Sequence, residues 1–349
     1  ISGVTQLIGS TEFERLHEGL TLTLQTALSR SGHALQVLFQ YDREAVSDLL
    51  NETLQPGKQT SQRLHLDLKD LFAERVSFLS KHCASESVYF VLWTRPSNLT
   101  TEQYQRATKD KLKYIRDKKI APSQLTQSVI AAIPDLRDTH DAFVRSVMHD
   151  LANLNIAADL LEVHDAVHAI RALADPAFTD KDWRPALPGD KIPLKEYDKL
   201  PHNISDILWP SLARQVLPRD AENIDLRTVR LGDQIYSCVF IDLLPKEIKS
   251  FNILLQRTLA ARIPWRISFF IESDGLRSIR LKSILASVLS FSSAQNRLLS
   301  DANNLLQYVA INTDDAVVLL RVAACTWAPE GQLGLLRTRA AELAKAIEG

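Results

Sequence analysis

The chain has 349 residues, 45% of them hydrophobic and 24% charged, and a formal net charge of -1 at neutral pH. That length has room for two domains or one large one with a self-sufficient core, and the balanced charge excludes a global pull toward nucleic acid or an anionic membrane, though not a local basic patch. The three cysteines, Cys83, Cys238 and Cys325, are far apart in sequence and in no CxxC spacing, which argues against a disulfide frame or zinc knuckle and for buried thiols in a reducing compartment.

No run approaches the roughly 18 apolar residues that a spanning helix needs. The chain opens on Ile1, has no signal peptide and has Met148 as its single methionine, so it reads as a piece of a longer protein.

Phe13, Leu16, Leu20, Leu24 and Leu28 recur every three or four residues and predict a helix over 11–31, with Gly32 as its stop. The apolar run 34–41 that ends at Asp42 predicts a strand. A second stripe, Leu64, Leu68, Leu71, Phe72, Val76 and Leu79, predicts a helix over 61–83 that crosses to a strand at 88–93, followed by a charged surface helix over 99–119. The first half lacks an opening strand unless residues 1–8 are the stub of one. Residues 134–173 read as helical throughout, with an interruption near 153–155.

Prolines from Pro176 to Pro218 crowd the next stretch, and neither a helix interior nor a central strand accepts them, so 175–218 is an extended arm. Residues 226–231 and 234–243 predict a hairpin around Gly232-Asp233, because these residue types tolerate the positive φ of a tight turn. Helix over 246–261, strand over 265–272, helix over 276–308 with a break near Ser300, strand over 316–326 and helix over 331–347 complete the chain.

Two of these stretches read as copies of one unit. Each passes from an amphipathic helix into a strand ending near an Asp, then through a long helical stretch into a second apolar strand with a Trp and a Pro close behind: Trp93 and Pro96 in the first copy, Trp327 and Pro329 in the second. A period this long indicates duplicated domains rather than a solenoid. The expected fold is α/β of the α+β kind, in two related halves, each a small mixed, ferredoxin-like sheet with helices on one face, joined by long helices and the Pro-rich arm. The halves are assigned to 1–125 and 223–349, with the connector and arm at 126–222.

Chemistry is harder to find. His140-Asp141, His149-Asp150 and His164-Asp165, with His168 one turn beyond, could seat a divalent metal in the manner of an HD-type phosphohydrolase, but none has the Glu of HExxH, and charged residues on a long helix are ordinarily its solvated side. No GxSxG elbow is present. Pro188-Gly189-Asp190-Lys191 lacks the second glycine and the hydroxyl residue of a P-loop, so no nucleotide cradle is expected. Lys109, Lys111, Lys113, Arg116, Lys118 and Lys119 make a basic face suited to lipid head groups or, as a rival reading, nucleic acid. Trp265-Arg266 and Trp183-Arg184-Pro185 pair the residue types that dominate interface hot spots, against the plainer reading of each Trp as core.

The run Leu231-Gly232-Asp233-Gln234-Ile235-Tyr236-Ser237, the strand ending Asp242-Leu243-Leu244-Pro245, the helix with Phe251-Asn252-Ile253-Leu254-Leu255, and Ile263-Pro264-Trp265-Arg266-Ile267-Ser268-Phe269 together resemble the N-terminal domain of the VirB/TrbE/CagE group of conjugation and type IV secretion ATPases. The arm Asp182-Trp183-Arg184-Pro185-Ala186-Leu187-Pro188-Gly189-Asp190 looks most like the IcmB (DotO, TraU) branch of type IVB systems. The resemblance follows nearly the whole chain in element order, with its specific motifs between about residues 161 and 270.

The resemblance implies a cytoplasmic platform, peripheral at the inner membrane, that docks an oligomeric ATPase onto the inner-membrane subunits of a secretion or conjugation channel. It implies that ATP and Mg belong to a C-terminal motor that would follow Gly349, so no catalytic, cofactor or metal residue is assigned in this chain and no enzyme activity is expected of it. The interaction candidates are Trp183, Arg184, Trp265, Arg266, Lys111, Lys113, Arg116, Lys118 and Lys119. The alternatives are a metal-dependent HD-like phosphohydrolase and a nucleic-acid-binding module, direct nucleic-acid contact not being expected under the first reading.

Overall fold

The computed structural model describes residues 1, 8–118, 134–175, 178, 180–187, 211–217, 220–241, 251–273, 275, 294–312 and 316–348. Helix α1 (Ser10–Leu28) leads to Gly32, whose φ of 87° suits glycine and whose missing Cβ would stand 2.6 Å from the Asn98 backbone nitrogen. Strand β1 (His33–Asp42) follows. The Asp42 carboxylate accepts the N–H groups of Glu44 at 2.8 Å and Ala45 at 3.2 Å, turning the chain into α2 (Val46–Thr53), while burial pushes its pKa up against those bonds.

Helix α3 (Gln55–Arg63) carries Pro56 in its first turn, where a missing N–H costs nothing. The single helix expected over 61–83 is therefore divided: α3 ends at Arg63, His65 takes a φ of 56°, and α4 (Lys69–His82) starts afresh and packs on α2. Strand β2 (Ser85–Thr94), a 3-10 turn (Pro96–Asn98) and α5 (Thr101–Lys118) follow. Thr100 and Gln103 open α5 as a capping box, each side chain accepting the other's backbone N–H, at 3.2 and 2.9 Å.

Helices α6 (Pro134–Asn153) and α7 (Val163–Ala174) replace the long connecting helix, and the interruption is wider than expected, with Asn155 at a φ of 57°. Helix α1 packs on α6, and the short α8 (Leu212–Val216) lies on α7. Next come β3 (Glu222–Asn223), β4 (Thr228–Leu231) and β5 (Gln234–Ile241), the last two turning at Gly232 with a φ of 62°, as the sequence requires. Helix α9 (Phe251–Ala260), β6 (Trp265–Glu272), α10 (Ala294–Asn312), β7 (Leu319–Pro329) and α11 (Leu333–Glu348) complete the order. The stub strand over 2–7, the helical stretches 246–250 and 276–293, and the arm over 188–210 lie outside the described residues.

The fold is α+β, but among the described residues the strands of both expected halves stand in one seven-stranded sheet, β2-β1-β6-β7-β5-β4-β3, and not in two small mixed sheets. The strands of the two expected halves meet through β1 and β6, with β2 and β7 outside them. Neighbours run antiparallel: the Arg95 N–H donates to the Gly32 carbonyl, Ser273 to His33, and Gly275 to Val317, each joining the end of one strand to the start of the next. A two-stranded sheet exposes both edges and is marginal alone, so the pairing of β1 with β6 removes that weakness for β1 and β2.

Two compact units are distinguished, and their boundaries fall inside β1, β2, β6 and β7: Ile1–Gln36, Val91–Arg219 and Phe270–Leu320 make the first; Val37–Phe90, Asp220–Phe269 and Arg321–Gly349 the second. In the second unit α11 packs on β5 and α9, with Leu336 against Ile235 and Ala328. Trp265 lies on that same face, because its indole N–H donates to the Thr258 carbonyl of α9. Arg266, Cys325, Trp327, Tyr236, Cys238 and Phe240 alternate onto the opposite face, where Phe240 is 72% exposed.

Candidate functional site

Of the two Trp-Arg anchors, Trp265 is not a surface residue. It is fully buried, stacked within 15° of both Phe39 and Tyr41 at centroid distances of 5.6 and 5.5 Å, so it serves the core rather than a partner. Its neighbour Arg266 points the other way, as strand alternation demands, and donates from Nε (3.1 Å) and Nη2 (2.8 Å) to the Gln40 amide oxygen while its guanidinium lies 5.7 Å from the Trp327 ring centroid. Cys325 and Tyr236 also lie within electrostatic range of it.

The Trp183 anchor is used within its own unit. On α7, the Arg171 guanidinium sits 4.2 Å from the Trp183 ring centroid and 4.4 Å from that of Phe178, and the two rings meet edge to face. Asp180 holds the turn by accepting the N–H groups of Asp182 and Trp183, both at 3.1 Å, and its carbonyl is 3.1 Å from His168 Nε2. Further along, the Gln215 side-chain amide pairs with the Ala186 backbone like a neighbouring strand, at 2.7 and 2.9 Å. The segment 180–187 is therefore pinned to α7 and α8, and Arg184 is left exposed beside the pinned Trp183. Sequence pattern marked this Trp but not Arg171, its partner.

On the basic helix α5, Lys109, Lys113 and Arg116 are exposed. Lys111 and Lys118 lie on the same helix, and Lys119 is outside the described residues. Among the described residues no helix is long and apolar enough to cross a membrane.

The His-Asp pairs do not converge, and among the described residues no three His, Cys, Asp or Glu side chains form a metal-sized group. His140 instead joins a hydrogen-bonded chain that no motif announces. Asn98 Nδ2 donates to His33 Nε2 at 3.0 Å, which leaves the proton on His33 Nδ1 to face Thr94 Oγ1 at 3.3 Å; the threonine hydroxyl then donates to His140 Nδ1 at 3.0 Å. His33 is buried, with its ring 4.2 Å from that of Phe143. Burial first, then the charges of Arg30 and His140, push its pKa down.

A depressed histidine pKa has a definite sign for stability. Below the unfolded value near 6.5 the unfolded chain takes up a proton that folded His33 refuses, so stability is lost as pH falls through that range. Urea unfolding of the native chain is expected to weaken between pH 7.5 and 5.5 by more than that of His33→Gln. An NMR midpoint for His33 at or above the unfolded value would refute this.

The cysteines differ most from expectation. Cys83 stands apart, but Cys238 and Cys325 are direct cross-strand partners on β5 and β7. Their separation along the chain hides this, and only a correct pairing and register of the two strands could have revealed it. Neither a scan against protein-family models nor a search of curated proteins finds a match to this chain.

Proposed function

We propose that this chain is a non-catalytic assembly domain of a type IVB secretion or conjugative-transfer ATPase, which docks a C-terminal motor onto the inner-membrane subunits of the channel as part of a homo-oligomer. The observation that carries the reading is the behaviour of the segment on which the resemblance rests. Residues 228–241 fold as a hairpin turning at Gly232, and Trp265–Glu272 forms a strand of the same sheet. The arm motif supports it too, since Trp183 is held on α7 and Arg184 is presented outward. The basic face of α5, exposed at Lys109, Lys113 and Arg116, suits peripheral contact with anionic lipid.

Two measurements test this. Reading the gene beyond the codon for Gly349 is expected to show a strand and then a G-x-x-x-x-G-K-[ST] loop, and the purified 349-residue chain is expected to hydrolyse ATP no faster than buffer. A reading frame without such a loop refutes the secretion-ATPase assignment, while turnover by this chain alone refutes the non-catalytic part.

A further inference from the structure

The Glu330 N–H donates to the Asp233 carbonyl at 2.8 Å, which makes Asp233 and Glu330 a hydrogen-bonded pair at the end of the β5–β7 ladder. Hydrogen-bonded and non-hydrogen-bonded pairs alternate along antiparallel strands, so in this register Gln234–Pro329, Tyr236–Trp327 and Cys238–Cys325 are non-hydrogen-bonded pairs. Pro329 agrees with that assignment, since it has no N–H to offer β5. At such pairs the Cα atoms stand about 4.5 Å apart and the side chains approach closely, within the range that a disulfide spans.

Both thiols leave the sheet on the face opposite α11, from directly opposed positions, with a hydrogen bond between the two sulfurs. Cys238 is exposed and Cys325 is half-buried beneath it. That hydrogen bond lowers the Cys238 pKa to about 7 against the opposing effect of burial. The same bond, together with burial, raises that of Cys325 well above the usual thiol value, with Arg266 pulling in the other direction. The arrangement is thus an accessible sulfur that carries the charge, with a second sulfur in contact behind it.

We propose that Cys238 and Cys325 form a peroxide-reactive dithiol, with Cys238 as the attacking sulfur and Cys325 as the resolving one, which closes reversibly into a disulfide between β5 and β7. The oxidant is hydrogen peroxide. The Cys238 thiolate attacks one peroxide oxygen, the O–O bond breaks, and hydroxide leaves and is protonated to water, giving a sulfenic acid. The Cys325 sulfur then attacks the Cys238 sulfur, the S–O bond breaks, and the departing hydroxide takes the Cys325 proton as a second water. Two electrons pass from the two sulfurs to one peroxide, and an external dithiol reverses the change.

The test uses the reduced 349-residue chain treated with hydrogen peroxide at pH 7. The expected result is a mass loss of about 2 Da, a fall from the three free cysteines to Cys83 alone, a peptide pair linked through Cys238 and Cys325, and reversal by dithiothreitol. Cys325→Ser is expected to stop at a Cys238 sulfenic acid trapped by dimedone, about 16 Da heavier before trapping, and Cys238→Ser to leave Cys325 unoxidised. With half of Cys238 ionised at pH 7, offset by the weaker nucleophilicity of a low-pKa thiolate, iodoacetamide should label it about threefold faster than an unperturbed thiol. The advantage should vanish in Cys325→Ala. Three free thiols after peroxide, a link through Cys83, or over-oxidation of Cys238 with Cys325 still free would each overturn the proposal.

Discussion

Replacing Trp265 with alanine is expected to cost about 3–5 kcal/mol of stability, the range for emptying a buried aromatic site. The side chain is fully buried, and its removal leaves Phe39 and Tyr41 without the ring they stack on. A second loss adds to the cavity. Thr258 is in the last turn of α9, so its carbonyl has no partner within the helix, and the indole N–H supplies one at 3.0 Å. Trp265→Phe keeps most of the ring and drops the donor, and should cost about 1–3 kcal/mol, the penalty for an orphaned buried carbonyl. Urea unfolding followed by circular dichroism measures both. A loss below about 1 kcal/mol for the alanine variant would mean that Trp265 is not the packing centre claimed for it.

The next largest effect is expected at Arg339. It sits in the apolar stripe Leu336, Leu343 and Ala346 of α11, a position where an unpaired guanidinium would be strongly unfavourable. Its Nη1 donates to the Trp327 carbonyl at 2.7 Å and its Nη2 pairs with Glu44. Trp327 is in a non-hydrogen-bonded pair with Tyr236, so its carbonyl turns away from β5. On that other side Thr326 is bonded to Pro264, just before β6 begins, and the ladder has run out. Arg339 thus satisfies a backbone acceptor that the sheet cannot, and ties α11 to the loop after β1.

Arg339→Met is expected to lose about 2–4 kcal/mol, because it orphans that carbonyl and removes the partner of Glu44. Glu44→Gln should cost no more than about 1 kcal/mol, since the carboxylate is half-exposed and water replaces much of what it loses. Equal losses in the two variants would show that the ion pair, and not the carbonyl bond, is what matters. Arg339→Lys should recover little, because one ammonium cannot reach both partners with the geometry of a guanidinium fork.

Both sites show what could be read from the chain. The strand 265–272 is legible from its apolar run, but Trp265 stands among the interface candidates with core packing as the plainer reading, because residue type alone does not say which face a strand position occupies. Nothing in the pattern of the helix over 331–347 singles out Arg339 from its other charges. Its burial follows from the end of β7 standing over it, a fact about two elements and not about either sequence. Helices α2 and α3 were missed because Pro56, Gly57 and a polar composition mask a pair whose stability comes from packing, α2 on α4. The arm motif was visible as Trp183-Arg184-Pro185, whereas its clamp on Arg171 was not, since cation–π pairing has no spacing rule.

Local patterns determined most of the elements, the hairpin turn at Gly232 and the stop at Gly32, because periodicity and glycine conformation are properties of neighbouring residues. Tertiary structure decided what the copies do with their edges. Two small sheets and one sheet of seven strands demand the same alternation within each strand, and only the pairing of β1 with β6 distinguishes them. The same holds for the cysteines, which lie far apart along the chain and become partners when β5 and β7 settle into register. Hydrogen-bonded pairing is non-local, and the chemistry that depends on it is written in the register and not in any stretch of sequence.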